Sequence, residues 1–171
     1  MNAMKCLIAY CTRYGVTRET SNVIAETLKT NFDAEVDVLD LKEEKKRAKS
    51  IVPNDYDLVI VGSSIRIGRW TKEAKNFLKS NFENTRVAIF VSSGRCGQAI
   101  EDGDMSEYEK YEQKYIDKIA EKRDLKLFAK RGFGGRMERG GEVQSDTWNR
   151  EHIVEWTQEV GKKLEKEISN A

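Results

Sequence analysis

Two threonines and a glycine stand where the first apolar run gives way to a helical pattern, in Cys11-Thr12-Arg13-Tyr14-Gly15-Val16-Thr17. A turn that opens a helix points its first backbone N–H groups outward, and the helix dipole adds partial positive charge, so this segment suits a phosphate. The hydroxyls of Thr12 and Thr17 can each donate a further hydrogen bond to a phosphate oxygen. A plain helix cap explains the same residues, since threonine caps are common. This segment alone does not separate the two readings.

Other phosphate chemistries fail on spacing. A dinucleotide site needs G-x-G-x-x-G at the first turn, and only Gly15 is present there. Gly132-Phe133-Gly134-Gly135-Arg136-Met137 imitates that motif but ends in Met137 and follows the fifth apolar run. Nothing matches the P-loop pattern. The carboxylates of a response-regulator site are missing, since Tyr10-Cys11 and Ser63-Ser64 fill those places. Cys6, Cys11 and Cys96, with His152 as the one histidine, make no convincing zinc set. Their odd number and unpaired spacing suit a reducing cytoplasm.

The elements that must position these residues alternate. Lys5 to Tyr10 reads as a buried strand, and Val16, Val23, Ile24, Leu28 and Phe32 recur at helical spacing. Strands follow at Ala34 to Leu41 (more exposed, an edge), Tyr56 to Val61, Arg86 to Val91 and Leu125 to Ala129. The pattern predicts helices over Lys72 to Phe82 and Tyr108 to Ile119, and a last one striped by Ile153, Trp156, Val160, Leu164 and Ile168. Such alternation predicts an α/β fold, an open five-stranded parallel sheet with helices on both faces. Right-handed crossovers put the strand C-termini on one edge, where ligands bind. The edge loops are then Cys11–Thr17, Gly62–Trp70, Ser92–Gly103 and Arg131–Gly141, and Gly and hydroxyl residues concentrate in them.

The chain of 171 residues fits one domain, at roughly 100–200 residues per domain. Thirty basic residues against 29 acidic ones leave a formal charge of +1, which gives no general pull toward nucleic acid or membrane. No apolar run approaches the roughly 18 residues of a membrane span, and no secretory signal is visible.

The residues now in view resemble the flavodoxin family. Tyr10-Cys-Thr-Arg-Tyr-Gly-Val-Thr17 is similar to its S/T-x-x-G-x-T phosphate loop. Gly62-Ser-Ser-Ile-Arg-Ile-Gly68 is similar to its first ring loop, and Ser93-Gly-Arg-Cys-Gly97 stands where its second lies. The resemblance implies strand order 2-1-3-4-5 and non-covalent FMN. It puts the cofactor on Thr12, Arg13, Tyr14, Gly15, Val16 and Thr17, on Ser64, Ile65, Arg66, Ile67 and Gly68, and on Ser93, Gly94, Arg95, Cys96 and Gly97. Gly68 falls where the family keeps a glycine whose peptide can turn over. Ile67 or Trp70 could cover a ring face, and Trp70 serves equally well as the first packed residue of the next helix.

Within the family, Y-x-T-R-x-G-x-T-R-E and G-x-S-I-R-x-G are similar to the quinone-linked protoporphyrinogen dehydrogenases. Those carry a long basic and aromatic insertion before the last helix, whereas this chain has only Arg131 to Gln144 there. The implied function is FMN-dependent electron transfer or oxidation of a small substrate. The alternatives are that dehydrogenase activity, or an interaction module that has lost FMN. Arg66, Arg69, Arg95, Arg131, Arg136 and Arg139 all fall on the predicted edge, so an anionic substrate or an acidic redox protein is the expected partner.

Overall fold

The structure, a computed structural model, describes residues 3–171. Five parallel strands form one sheet in the order β2-β1-β3-β4-β5: β1 Lys5–Cys11, β2 Glu35–Asp40, β3 Leu58–Ser64, β4 Arg86–Ser92 and β5 Ala129–Phe133. Alternation along the strands divides the core. Leu7, Ala9, Val59, Val61, Ile89 and Val91 point to one face, while Cys6, Ile8, Leu58, Ile60, Ala88 and Phe90 point to the other.

The second face is covered by α1 Val16–Phe32 and α7 Arg150–Ser169, whose Ile24, Leu28, Ile153 and Leu164 are fully buried. Each helix lays a stripe of apolar residues on the sheet, the arrangement expected when tertiary burial rather than intrinsic propensity stabilises a helix. The first face carries the short helices α2 Lys45–Ser50 and α3 Lys72–Phe77, then α4 Gly94–Glu101, α5 Met105–Glu112 and α6 Lys118–Lys122. A π-helical turn, Gln113–Asp117, joins α5 to α6. Among the described residues no helix is long and apolar enough to cross a membrane.

Three local expectations need correction. The fifth strand is Ala129–Phe133, not Leu125 to Ala129. Gly132 and Phe133, rather than Leu125, lie against the sheet interior, and Phe133 packs on Phe90 and Trp156. The stretch Ser92–Gly103 is not a loop but largely helix α4, because Ser93 caps it by accepting the Cys96 N–H at 3.2 Å. The segment after β5 is also not simply irregular. It forms an antiparallel hairpin, β6 Arg136–Arg139 and β7 Glu142–Asp146, closed by Gly140 and Gly141 at φ 61° and 82°. Two successive positive-φ residues make the tight turn that favours strand pairing, and glycine supplies it at no steric cost.

Candidate functional site

The carboxyl ends of β1, β3 and β4 meet at one point, where Thr17 Oγ1 donates to Ser92 Oγ at 3.0 Å and lies 2.7 Å from Ser64 Oγ. Thr17 is therefore the buried hinge of the site, with its hydroxyl committed inside the protein. Thr12 is also engaged: its Oγ1 accepts the Gly15 N–H at 2.9 Å and closes the turn on itself. What the turn leaves open is backbone. Gly15 is the N-cap residue of α1 with φ 91°, no side chain caps the helix, and Glu19 N–H closes back onto the Gly15 carbonyl. The first amides of α1 therefore lack a side-chain acceptor, in a 17-residue helix whose dipole favours an anion.

Arg13 takes a different role from the one its place in the turn suggests. Its Nη1 donates to the carbonyls of Arg66 and Arg69 at 3.5 and 3.4 Å, and its Nη2 to that of Trp70 at 3.2 Å. The guanidinium thus clamps the phosphate turn to the loop after β3. That loop is a tight reversal: Arg66 and Arg69 exchange both backbone hydrogen bonds at 3.0 Å, with Ile67 and Gly68 between them at φ 50° and 70°. A left-handed conformation at Ile67, a β-branched residue, carries strain that the surrounding bonds must offset. Trp70 turns inward, donating Nε1–H to the Tyr115 carbonyl at 2.7 Å within the π turn, and packs against the first-face core instead of lining the cavity.

The third wall is Gly94 at the start of α4, and the fourth is the hairpin. Together these segments enclose a cavity of about 300 Å³ lined by Arg13, Tyr14, Val16, Ser64, Ile65, Arg66, Ile67, Ser92, Gly94 and Gly135, and by Arg136 to Arg139 and Ser145 of the hairpin. Ser93, Cys96 and Gly97 are buried behind it. Cys96 contacts Gly132, and a Cβ on Gly97 would collide with Thr147 and Gly134. Arg95 leaves the site altogether and donates to Tyr111 Oη at 3.1 Å. Of the other edge arginines, Arg131 lies over the Tyr108 ring, while Arg66, Arg136 and Arg139 line the cavity.

The hairpin is the part of the site that sequence reasoning missed. A Gly-Gly pair between Arg136-Met137-Glu138-Arg139 and Glu142-Val143-Gln144-Ser145 is a hairpin signal in its own right. Its foot is tied down: Arg136 bridges Asp146 at 3.0 Å and Glu19 of α1 at 2.9 Å, and Thr147 pairs with Gly135. Partial burial pushes the Asp146 carboxyl up, but the Arg136 guanidinium and the Trp148 N–H outweigh it and hold the group below its usual range.

FMN fits this frame. Its phosphate would sit at the uncapped start of α1, where the first amides of the helix have no side-chain partner. Its ring would lie among Ile65–Ile67, Gly94 and Met137. A cavity of about 300 Å³ falls at the low end of the ~300–1,000 Å³ typical of ligand sites.

Residues 7–153 match the flavodoxin domain family. The chain is 34% identical over 77 residues to protoporphyrinogen IX dehydrogenase [quinone] of Leishmania major. That stretch is 45% of this chain and 32% of the relative, so the likeness spans about a third of that protein. Among solved structures, oxidised flavodoxin 1 of Bacillus cereus superposes with a TM-score of 0.60 at 15% identity, covering 92% of this chain and 97% of that one. An oxidoreductase of Corynebacterium diphtheriae superposes with 0.62 at 10% identity over 100% of both chains.

Proposed function

The chain belongs to the flavodoxin domain family and its cofactor is FMN, and from that premise we propose that it is a one-domain electron carrier working at the exposed edge of the cofactor. FMN supplies one- and two-electron redox chemistry. The chain's own residues do the rest. The start of α1 holds the phosphate, Arg13 fixes the ring loop against the phosphate turn, and the hairpin shields one side of the cavity from water.

The observation that carries the reading is the size and walling of the cavity. FMN would take up a cavity of about 300 Å³, which leaves little room inside it for a second organic molecule. Electrons then enter and leave across the rim. The buried free thiols Cys6, Cys11 and Cys96 favour a reducing compartment, and we assign the protein to the cytoplasm.

The test is reconstitution with FMN, a redox titration, and measurement of electron exchange with one-electron protein acceptors. A carrier loads FMN at one per chain and exchanges electrons without oxidising a porphyrinogen. The second reading is a protoporphyrinogen dehydrogenase type of enzyme, favoured by the named Leishmania relative and by the arginines Arg66 and Arg139 at the cavity. Porphyrinogen oxidation with a quinone acceptor at catalytic rates would decide for it.

A further inference from the structure

Three walls of the cavity are fixed, and the fourth is held by little. Arg13 clamps the phosphate turn to the ring loop. The Gly94 wall opens helix α4, whose Cys96, Gly97 and Ala99 are buried. The hairpin differs, since every residue from Met137 to Asp146 is exposed. Its foot is pinned: Thr147 N–H donates to the Gly135 carbonyl at 2.9 Å, and Gly135 N–H donates to Thr147 Oγ1 at 3.1 Å. Beyond that foot, among the described residues, no hydrogen bond or ion pair joins residues 137–145 to the rest of the chain. Burial adds little, because Met137 and Val143, the large apolar side chains of the hairpin, are 60% and 54% exposed.

Arg136 supplies the tether. Its Nε donates to Asp146 Oδ2 at 3.0 Å on the facing strand, which sets the direction of the guanidinium. Its Nη1 then donates to Glu19 Oε2 at 2.9 Å, joining the hairpin to the first turn of α1. The Arg136 and Glu19 side chains are 21% and 49% exposed, so water competes for the pair and it opens at small cost. Glu19 is not among the residues that line the cavity. It acts on the site through Arg136, as a positioning residue.

We propose that the Arg136–Glu19 pair is a latch, and that the hairpin swings about its Gly135–Thr147 foot to let the flavin in and out. The inference rests on the reading of the cavity as the FMN site, and it adds what governs exchange there. A cavity of about 300 Å³ walled on four sides passes a rigid tricyclic ring only when a wall moves. The hairpin is the wall with few bonds to break, and weakly held segments are the ones that open. Such a gate has a kinetic signature. Loosening a fixed wall that touches the flavin speeds dissociation and leaves association unchanged. Loosening a gate raises the open population, so both rates rise by one factor and the dissociation constant barely moves.

The experiment follows FMN and riboflavin binding to the full chain by stopped-flow fluorescence, in wild type, Glu19→Gln and Glu26→Gln. The last removes the Arg150–Glu26 pair, on the same helix but away from the hairpin. Glu19→Gln should speed association and dissociation of both flavins about 2–5-fold, the worth of an exposed pair, and Glu26→Gln should change neither. Rising ionic strength should speed riboflavin exchange in wild type and leave Glu19→Gln unmoved, because salt screens the same pair. A flavin-free readout is trypsin cleavage after Arg139 in the apoprotein, which should quicken about 2–5-fold in Glu19→Gln. Faster dissociation alone makes the hairpin a fixed wall and overturns the gate. So does faster association with slower dissociation for FMN only, which is the effect of lost negative charge near the phosphate. Rates and trypsin cleavage in Glu19→Gln that match those of Glu26→Gln overturn it as well. A protein that takes up neither flavin overturns the cofactor reading and the gate with it, whereas the trypsin rate still scores the tether itself.

Discussion

Arg13 sits inside the phosphate turn yet spends its guanidinium on the ring loop, and the two roles predict different behaviour when it is replaced by glutamine. Its three contacts are long and exposed, at 3.2, 3.4 and 3.5 Å. Hydrogen bonds to a charged group contribute about 1.5–3 kcal/mol each when well formed and partly buried. Here about 0.5 kcal/mol apiece is reasonable, which gives roughly 1–2 kcal/mol for the clamp. The strain it offsets is of the same size, since a left-handed non-glycine residue such as Ile67 costs roughly 1–2 kcal/mol. Without the clamp, the Arg66–Arg69 turn should leave its cofactor-ready conformation much of the time. At 1.4 kcal/mol per factor of ten, Arg13→Gln should weaken FMN binding about 5–30-fold.

The discriminating assay is fluorescence titration with FMN and with riboflavin, which lacks the phosphate. A clamp acting on the ring loop weakens both by the same factor. A guanidinium that touched the phosphate would weaken FMN alone. Adding Ile67→Gly removes the left-handed strain, so in the Arg13→Gln background it should bring both affinities back toward those of Ile67→Gly alone. The reasoning is refuted if Arg13→Gln leaves riboflavin binding intact, or if the double variant shows no rescue.

Two further outcomes follow from buried groups. Burial, the dominant cause, pushes the thiols of Cys6, Cys11 and Cys96 up to about 12, 11 and 11, so the native protein at pH 8 should show no fast-reacting thiol toward a disulfide reagent, and the unfolded protein three. Rapid labelling of any one in the folded state would contradict the packing. Asp40 is pushed up by burial, but the Arg18 guanidinium and the amides of Glu43 and Lys42 overcome this and hold its carboxyl below the usual range. A lowered folded value contributes stability above the unfolded pKa near ~3.9, and that contribution is lost as pH falls through the folded value. Asp40→Asn should therefore cost about 1 kcal/mol at pH 7, discounted for the half-exposed Arg18, with the deficit disappearing in strong acid. A deficit that persists unchanged into acid would reject this assignment.

The alternation of strands and helices, and the edge on which the loops gather, were legible because both follow from long-range rules, whereas the strand order came from the family resemblance. Five apolar runs alternating with helical stripes leave few topologies, and right-handed crossovers then fix which edge carries the loops. What was not legible depended on contacts between segments far apart in sequence. Gly94-Arg95-Cys96-Gly97 reads as a loop from its glycines, but Gly97 is glycine because Thr147 and Gly134 press against the helix there. Gly132 likewise belongs to a strand because Cys96 leaves no room for a side chain. The hydroxyls of Thr12 and Thr17 were expected to face the phosphate. Instead they build the turn and the hinge beneath it, and the open groups are backbone amides that no side-chain pattern reveals. Six edge arginines looked like one set, yet the helix start turns Arg95 toward Tyr111 and the strand turns Arg131 over Tyr108.

The central claim, that the uncapped start of α1 grips the FMN phosphate, is tested most directly by comparing FMN with riboflavin on the same apoprotein. Two or three charge-assisted bonds from backbone amides to a dianion contribute roughly 3–4 kcal/mol together, after allowance for exposure. Titration at fixed ionic strength should therefore show FMN binding about 100–1,000-fold more tightly than riboflavin. Equal dissociation constants for the two flavins would contradict the account.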